Sequence, residues 1–175
     1  MNIEDLKYPI GKFTPPKDIN EKEIQEAITI LEIFPEKFGD LVRNLDDKSL
    51  DTTYRPEGWT IRQVVHHVAD SHHHSYIRFK WALSEDNPKI KAYNQEEWST
   101  IKETYNLPVA WSLTHIEVVH HKIVNLLRQF DENDWNTTFI HPENGETSLK
   151  KNALLYAWHS MHHYSHIANA LERMK

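Results

Sequence analysis

The stretches LDDKSLDTTY (45–54) and FDENDWNTTF (130–139) follow one pattern: apolar, Asp, three residues, apolar, Asp or Asn, Thr, Thr, aromatic. Each follows one segment with helical apolar spacing and leads, within about ten residues, into the next. Such an echo implies two structural halves of similar design. Before the first copy, Asn20 and Glu23 read as a capping pair, and Ile24, Ile28, Leu31, Phe38, Val42 and Leu45 recur at helical intervals. Pro35 inside that run is expected to kink or break it. After the first copy, Thr60 offers a hydroxyl cap with Gln63 reaching back, and a helix is expected to about Leu83. Before the second copy, a helix begins after Pro108 and carries Leu113, Ile116, Ile123, Val124 and Leu127 on one face. The last helix runs from about Ser148 to the end of the chain.

These four helices read as two helical hairpins joined by residues 84–107. That span is long for a simple loop, and EEWSTIKETY (96–105) within it reads as a short helix. Two packed hairpins make an all-α four-helix bundle, a fold that holds metals between facing helices. At 175 residues with four glycines, the chain is expected to be one domain, 1–175, rich in helix.

Composition excludes several chemistries. There is no cysteine, hence no disulfide, thiolate metal site or cysteine nucleophile, and any thiol chemistry would need a thiol brought by the substrate. A net charge of −6 without a basic stripe argues against nucleic acid. MNIEDLKYPI at the N-terminus lacks the basic and apolar regions of a signal peptide, and no apolar run could span a membrane. A cytoplasmic protein with neither membrane nor nucleic-acid partners is expected.

The outlying feature is histidine: thirteen in all, twelve in segments read as helix. In YAWHSMHHYSHIANALERMK (156–175), the core direction is set by Leu149, Tyr156, Ile167 and Met174. At about 100° per residue, His163 falls about 25° from that line and His159 about 65°. His166 is further round, and His162 lies on a flank near Lys151 and Asn169. His159 and His163, at i and i+4, can therefore address one ion, whereas His162 and His166 are expected to stand aside. A third ligand is required. In the second helix His67 faces a seam between helices, His72 lies nearest the core line as a buried or ligand-supporting histidine, and His66 points the other way beside Asp70. His120 sits within the apolar stripe of the third helix. Periodicity does not choose between His67, His72 and His120. Glu117 and His120 form a single Glu-x-x-His element, short of the two that a di-iron bundle needs. No His-Glu-x-x-His motif is present.

GWTIRQVVHHVADSH (58–72), YIRFK (76–80), HPENGETSL (141–149) and YAWHSMHHYSHI (156–167), with YPIGKF (8–13), resemble the YfiT-like branch of the DinB superfamily. The resemblance implies a four-helix bundle with one divalent metal per chain, zinc or alternatively nickel, held by three histidines. In the family pattern the first ligand follows a Trp-Ser/Thr start by eight residues, which falls on His67 and not on its neighbour His66. The other two fall on His159 and His163. It further implies a metal-dependent hydrolase acting on a small molecule, with transfer of a low-molecular-weight thiol such as bacillithiol as the alternative, and a homodimer. A metal-binding bundle without turnover is the non-enzymatic reading. No general base is identifiable among Asp70, Glu103 and Glu117.

Overall fold

The computed structural model describes residues 2–175. In chain order its elements are α1 (Ile3–Lys7), α2 (Glu21–Val42), α3 (Asp47–Leu50), α4 (Ile61–Ser84), α5 (Gln95–Ser99), α6 (Lys102–Asn106), α7 (Val109–Leu127), α8 (Glu132–Asn136), β1 (Thr138–His141), β2 (Gly145–Ser148) and α9 (Leu149–Arg173). The four long helices α2, α4, α7 and α9 form the expected bundle.

Their starts follow the capping logic. Asn20 and Glu23 satisfy each other's backbone N–H groups at the head of α2, and Thr60 and Gln63 do the same for α4. Ser148 caps α9. Pro35 does not break α2, which runs unbroken from Glu21 to Val42. The segment EEWSTIKETY is divided between two short helices, α5 and α6, and the carbonyl of Ser99 ties it to α4 by accepting from Gln63 Nε2 at 3.0 Å.

The echo between 45–54 and 130–139 is a true structural repeat. Asp46 caps α3 and Asp131 caps α8. Thr53 then pairs with Thr60, and Thr138 pairs with Ser148. Each partner is the N-cap of a long helix. The backbone N–H of Ile61 donates to the Thr52 carbonyl, and that of Leu149 donates to the Thr137 carbonyl. The β1–β2 hairpin was not foreseen as strand; it is the second copy's longer version of the Thr53–Thr60 bridge.

Helix pairing departs from the expected hairpins. α2 packs mainly on α9 and α4 mainly on α7, with further α2–α7 and α4–α9 contacts. Each half's two helices therefore lie diagonally, and the halves interleave. The connections 43–60 and 128–148 permit this, because each is long enough to carry a short helix across the end of the bundle.

The core has two apolar parts. One centres on Leu31, Phe79, Ile123, Leu127 and Leu149; the other on Phe34, Phe38, Val68, Ile116 and Ile167. Phe34 is fully buried, with its ring 4.9 Å from Phe38 and 5.1 Å from His120. Phe34→Ala is expected to cost about 3–5 kcal/mol in denaturant unfolding, whereas Asn20→Ala, which removes one cap, should cost about 1 kcal/mol. Equal losses would contradict this view of where stability resides.

Candidate metal centre

Between the two apolar parts lies a layer of imidazoles. α4 and α9 run past each other with opposite sense here: His67 meets His163 and His159, Ser71 meets Tyr156, and Ser75 meets Asn152. One ring nitrogen each from His67, His159 and His163 lies within 4.8 Å of the others, the one such group among the described residues. His159 Nε2 and His67 Nε2 are 3.3 Å apart. The pair on α9 is joined by His67. His66 instead turns to Ser112 Oγ, at 2.8 Å.

His72 and His120, the other two candidates, stand behind the triad. His120 Nδ1 is 2.6 Å from the Leu31 carbonyl, His120 Nε2 is 2.8 Å from His72 Nδ1, and His72 Nε2 is 3.0 Å from His159 Nδ1. A carbonyl only accepts, so a neutral His120 carries its proton on Nδ1 and accepts at Nε2. His72 must then donate from Nδ1 and accept at Nε2, and His159 must donate from Nδ1. One backbone oxygen thereby fixes three tautomers and leaves His159 Nε2 with a bare lone pair. Leu31 is available because the residue four positions on is Pro35, which has no N–H to bond that carbonyl. The proline read as a possible break is what leaves this carbonyl for His120.

A second chain reaches His163. His166 Nε2 is 3.1 Å from the Lys7 carbonyl and must donate to it; its Nδ1, 3.4 Å from His163 Nδ1, then accepts. His163 Nε2 is left bare. His67 Nδ1 lies 3.3 Å from the Tyr93 hydroxyl, and the Trp59 ring packs 4.8 Å from the His67 ring. Each triad histidine thus engages a partner through Nδ1.

His162 and His166, expected to stand aside, are not among the three. Both are buried, because the N-terminal segment and Tyr54 cover that face of α9: Tyr8 lies 6.1 Å from His162 and Tyr54 stacks on His166 at 4.0 Å. A wheel drawn for one helix cannot show what packs on its flank. His166 touches His163 through Nδ1. Glu117 is exposed while His120 is buried, so the lone Glu-x-x-His element does not act as a unit.

Burial keeps these rings neutral. It pushes His67 down to about 3, with the charge of His162 next in effect, and His120 down to about 4 against the opposing pull of the Leu31 carbonyl. His72, His159 and His163 are held well below the ordinary value by burial first and neighbouring imidazoles second. Neutral imidazoles with bare nitrogens are the form a divalent cation of the zinc or nickel type requires, so these residues fit such an ion. Asp70, which shares a small cleft with His67 and Tyr93, is pushed up to about 6 by burial and then by Glu103. Beside the triad opens a cavity of about 310 Å³ bounded by Tyr8, Trp59, Trp158 and His162. Trp158 Nε1 and His162 Nδ1 are buried there without hydrogen-bond partners.

Comparison with known proteins agrees with the fold. The family model of the DinB superfamily matches residues 30–167. Proteins named "putative metal-dependent hydrolase" from Bacillus cereus (strain 03BB102) and Bacillus thuringiensis subsp. konkukian (strain 97-27) are each 48% identical over 172 residues, covering 98% of this chain and 99% of theirs. The solved structure of YfiT from Bacillus subtilis, described as "a probable metal-dependent hydrolase with an unusual four-helix bundle topology", aligns with a TM-score of 0.94 at 39% identity over 97% of this chain and 98% of that one. A mycothiol-dependent maleylpyruvate isomerase shares the fold, with a TM-score of 0.61 at 15% identity, covering 79% of this chain and 60% of that one.

Two outcomes follow from the imidazole layer. His72→Phe fills the same space but gives His159 no acceptor; zinc affinity, measured by competition with a chromophoric chelator, should fall about 10–100-fold. His72→Gln, which can accept and donate, should recover most of it. The second outcome concerns acid. His66, His67, His120, His162 and His166 have folded values pushed down to about 3–4. Protons therefore favour the unfolded chain as pH falls below about 6.5, by up to about 1.4 kcal/mol per pH unit for each group. Asp70, raised to about 6, works in the opposite sense as one carboxyl against these five. Chelator-treated protein should lose melting temperature steeply between pH 6.5 and 4; a flat profile across that window would show that the rings are not held neutral.

Proposed function

The chain belongs to the DinB superfamily, and on that premise we propose that it is a metal-dependent hydrolase of a small molecule. His67, His159 and His163 hold one divalent cation, zinc before nickel. The observation that carries this reading is the convergence of three neutral imidazoles whose Nδ1 atoms are all engaged elsewhere. A divalent cation held this way supplies Lewis acidity at a position left for water or substrate.

The chain's own groups supply the rest. Trp59, Trp158 and Tyr8 form aromatic walls that shield the reacting bond from bulk water. The Tyr93 hydroxyl, whose pKa burial pushes upward, stays protonated and steadies His67. Asp70 can hold or release a proton near neutral pH in the cleft beside His67 and is the candidate general base. Two further parts of the proposal are a cytoplasmic location and a homodimer. For the first, no helix among the described residues is long and apolar enough to cross a membrane. For the second, Trp111 is 65% exposed and Val118 lies two turns further along α7.

Elemental analysis tests the ligand set. Wild type should retain about one zinc per chain, and Ala at His67, His159 or His163 should lose most of it, since two ligands leave an ion largely to water. His162→Ala should retain it. Full metal content in His163→Ala would refute the assignment. The cobalt-substituted protein separates hydrolysis from thiol transfer: a thiolate ligand adds an intense near-ultraviolet band. For a hydrolase, thiols should leave the spectrum unchanged while ester or amide cleavage tracks metal content.

A further inference from the structure

Arg78 on α4 is a buried cation without a counter-ion. It is 7% exposed, and among the described residues no carboxylate lies within ion-pairing distance of it. Its Nη1 donates to the Tyr156 hydroxyl at 3.1 Å, and its Nε is buried with no partner. The other arginine buried on this helix, Arg62, makes ion pairs with Asp47 and Asp51 at 2.7 and 2.8 Å. A guanidinium cannot shed its proton, so burying one unpaired is costly unless something else supplies the negative charge.

What Arg78 faces is a second cavity of about 490 Å³, within the range of small-molecule sites. Its wall includes Ser71, Tyr93, Tyr156, His141 and the edge of His159. Arg78 stands three turns beyond His67 on α4, but its side chain reaches back towards the start of the helix, as helical side chains do. Nη1 meets Tyr156, whose hydroxyl also lies 3.4 Å from Ser71 Oγ, one turn after His67. The Tyr156 ring is 5.6 Å from the His159 ring. The guanidinium therefore lies within a small molecule's length of the imidazole triad. The Tyr156 oxygen accepts from both Arg78 and Ser71, which leaves its own O–H to donate into the pocket, and Tyr93 adds a second hydroxyl to the wall. The pKa of His141 is pushed down by burial first and by Arg78 second, so that ring faces the pocket neutral. Glu143 is the one carboxylate on the wall; it is exposed, in the turn between β1 and β2.

We propose that this cavity binds an oxyanion, a carboxylate or a phosphate, with Arg78 as its counter-ion, and that the substrate is a small anionic molecule. The charged group sits at Arg78 while the bond to be broken reaches the triad. The forked guanidinium suits either anion by paired, charge-assisted hydrogen bonds. As a statement about substrate this rests on the metal-centre reading, but anion binding itself does not need the metal.

The test is titration calorimetry on chelator-treated full-length protein, with succinate and inorganic phosphate as probes. Wild type should bind at least one of them at millimolar concentration or below, and the tighter of the two identifies the class. Arg78→Met should weaken that binding at least tenfold, while Glu143→Gln, which removes a rim charge, should tighten it. Because the metal has been removed, binding is read without the metal centre, which keeps failure of that site separate from failure of this one. If Arg78→Met does not fold, as judged by circular dichroism, Arg78→Lys is read instead and should weaken binding several-fold, because it keeps the charge and loses the fork. Anion binding unchanged in the folded Arg78 variant, or absent from wild type for both probes, overturns the proposal.

Discussion

The hydrogen bond from His120 Nδ1 to the Leu31 carbonyl sets the direction of everything polar in the bundle's centre. An α-helix normally spends each carbonyl on the N–H four residues later. Pro35 withholds that N–H, so one oxygen on α2 is left facing a fully buried interior, where an unpaired carbonyl is expensive. His120 on α7 satisfies it, His72 on α4 satisfies His120, and His159 on α9 satisfies His72. The chain crosses all four helices and can be protonated in only one order. Its end is a lone pair at His159 Nε2, the atom that meets His67. A missing hydrogen bond on one side of the bundle thus determines the chemistry presented on the other.

Placing such a layer between two apolar halves of a core has a cost. Each imidazole gives up hydration, and the low folded pKa values register that loss. An all-apolar layer would be more stable near neutrality and far more so in acid. Directional hydrogen bonding offsets part of the cost, since every nitrogen of His72 and His120 has a partner. The remainder is consistent with a functional site, where local sequence rules are commonly broken. Arg78 breaks the same rule with a full charge.

Much of this was legible in the sequence, and the reasons are local. Asn20, Thr60 and Ser148 announce helix starts because capping is a contact between near neighbours. His159 and His163 are legible as a pair because i,i+4 spacing fixes their common face. His67 needed the family resemblance, since periodicity left it level with His72 and His120. The diagonal helix pairing was not legible, because the echo at 45–54 and 130–139 records how each helix begins and nothing about which neighbour it meets. Nor were the burial of His162 under the N-terminal segment, the role of His166, or the solitude of Arg78. Those depend on which distant residues arrive, or fail to arrive, beside them. Pro35 is the instructive case: the sequence signals a lost hydrogen bond, but only the tertiary structure shows who takes the freed acceptor.

The repeat also explains why the two sites share one seam. Counting from the caps Thr60 and Ser148, the position of His67 on α4 corresponds to Leu155 on α9, and those of His159 and His163 correspond to Ser71 and Ser75 on α4. Two helices launched alike and crossing with opposite sense generate two equivalent patches, one towards each end of their contact. One patch carries three imidazoles. The other carries Ser71, Ser75 and Leu155, none able to bind a cation strongly, and the Arg78 cavity opens against Ser71 and Leu155. The two halves of the repeat thus present three converging imidazoles at one end of a single helix pair and the Arg78 cation at the other, with Tyr156 and His159, one turn apart, between them. A substrate lying along that seam would be held by its charge at one end and face the triad at the other, an arrangement that neither half of the repeat could provide alone.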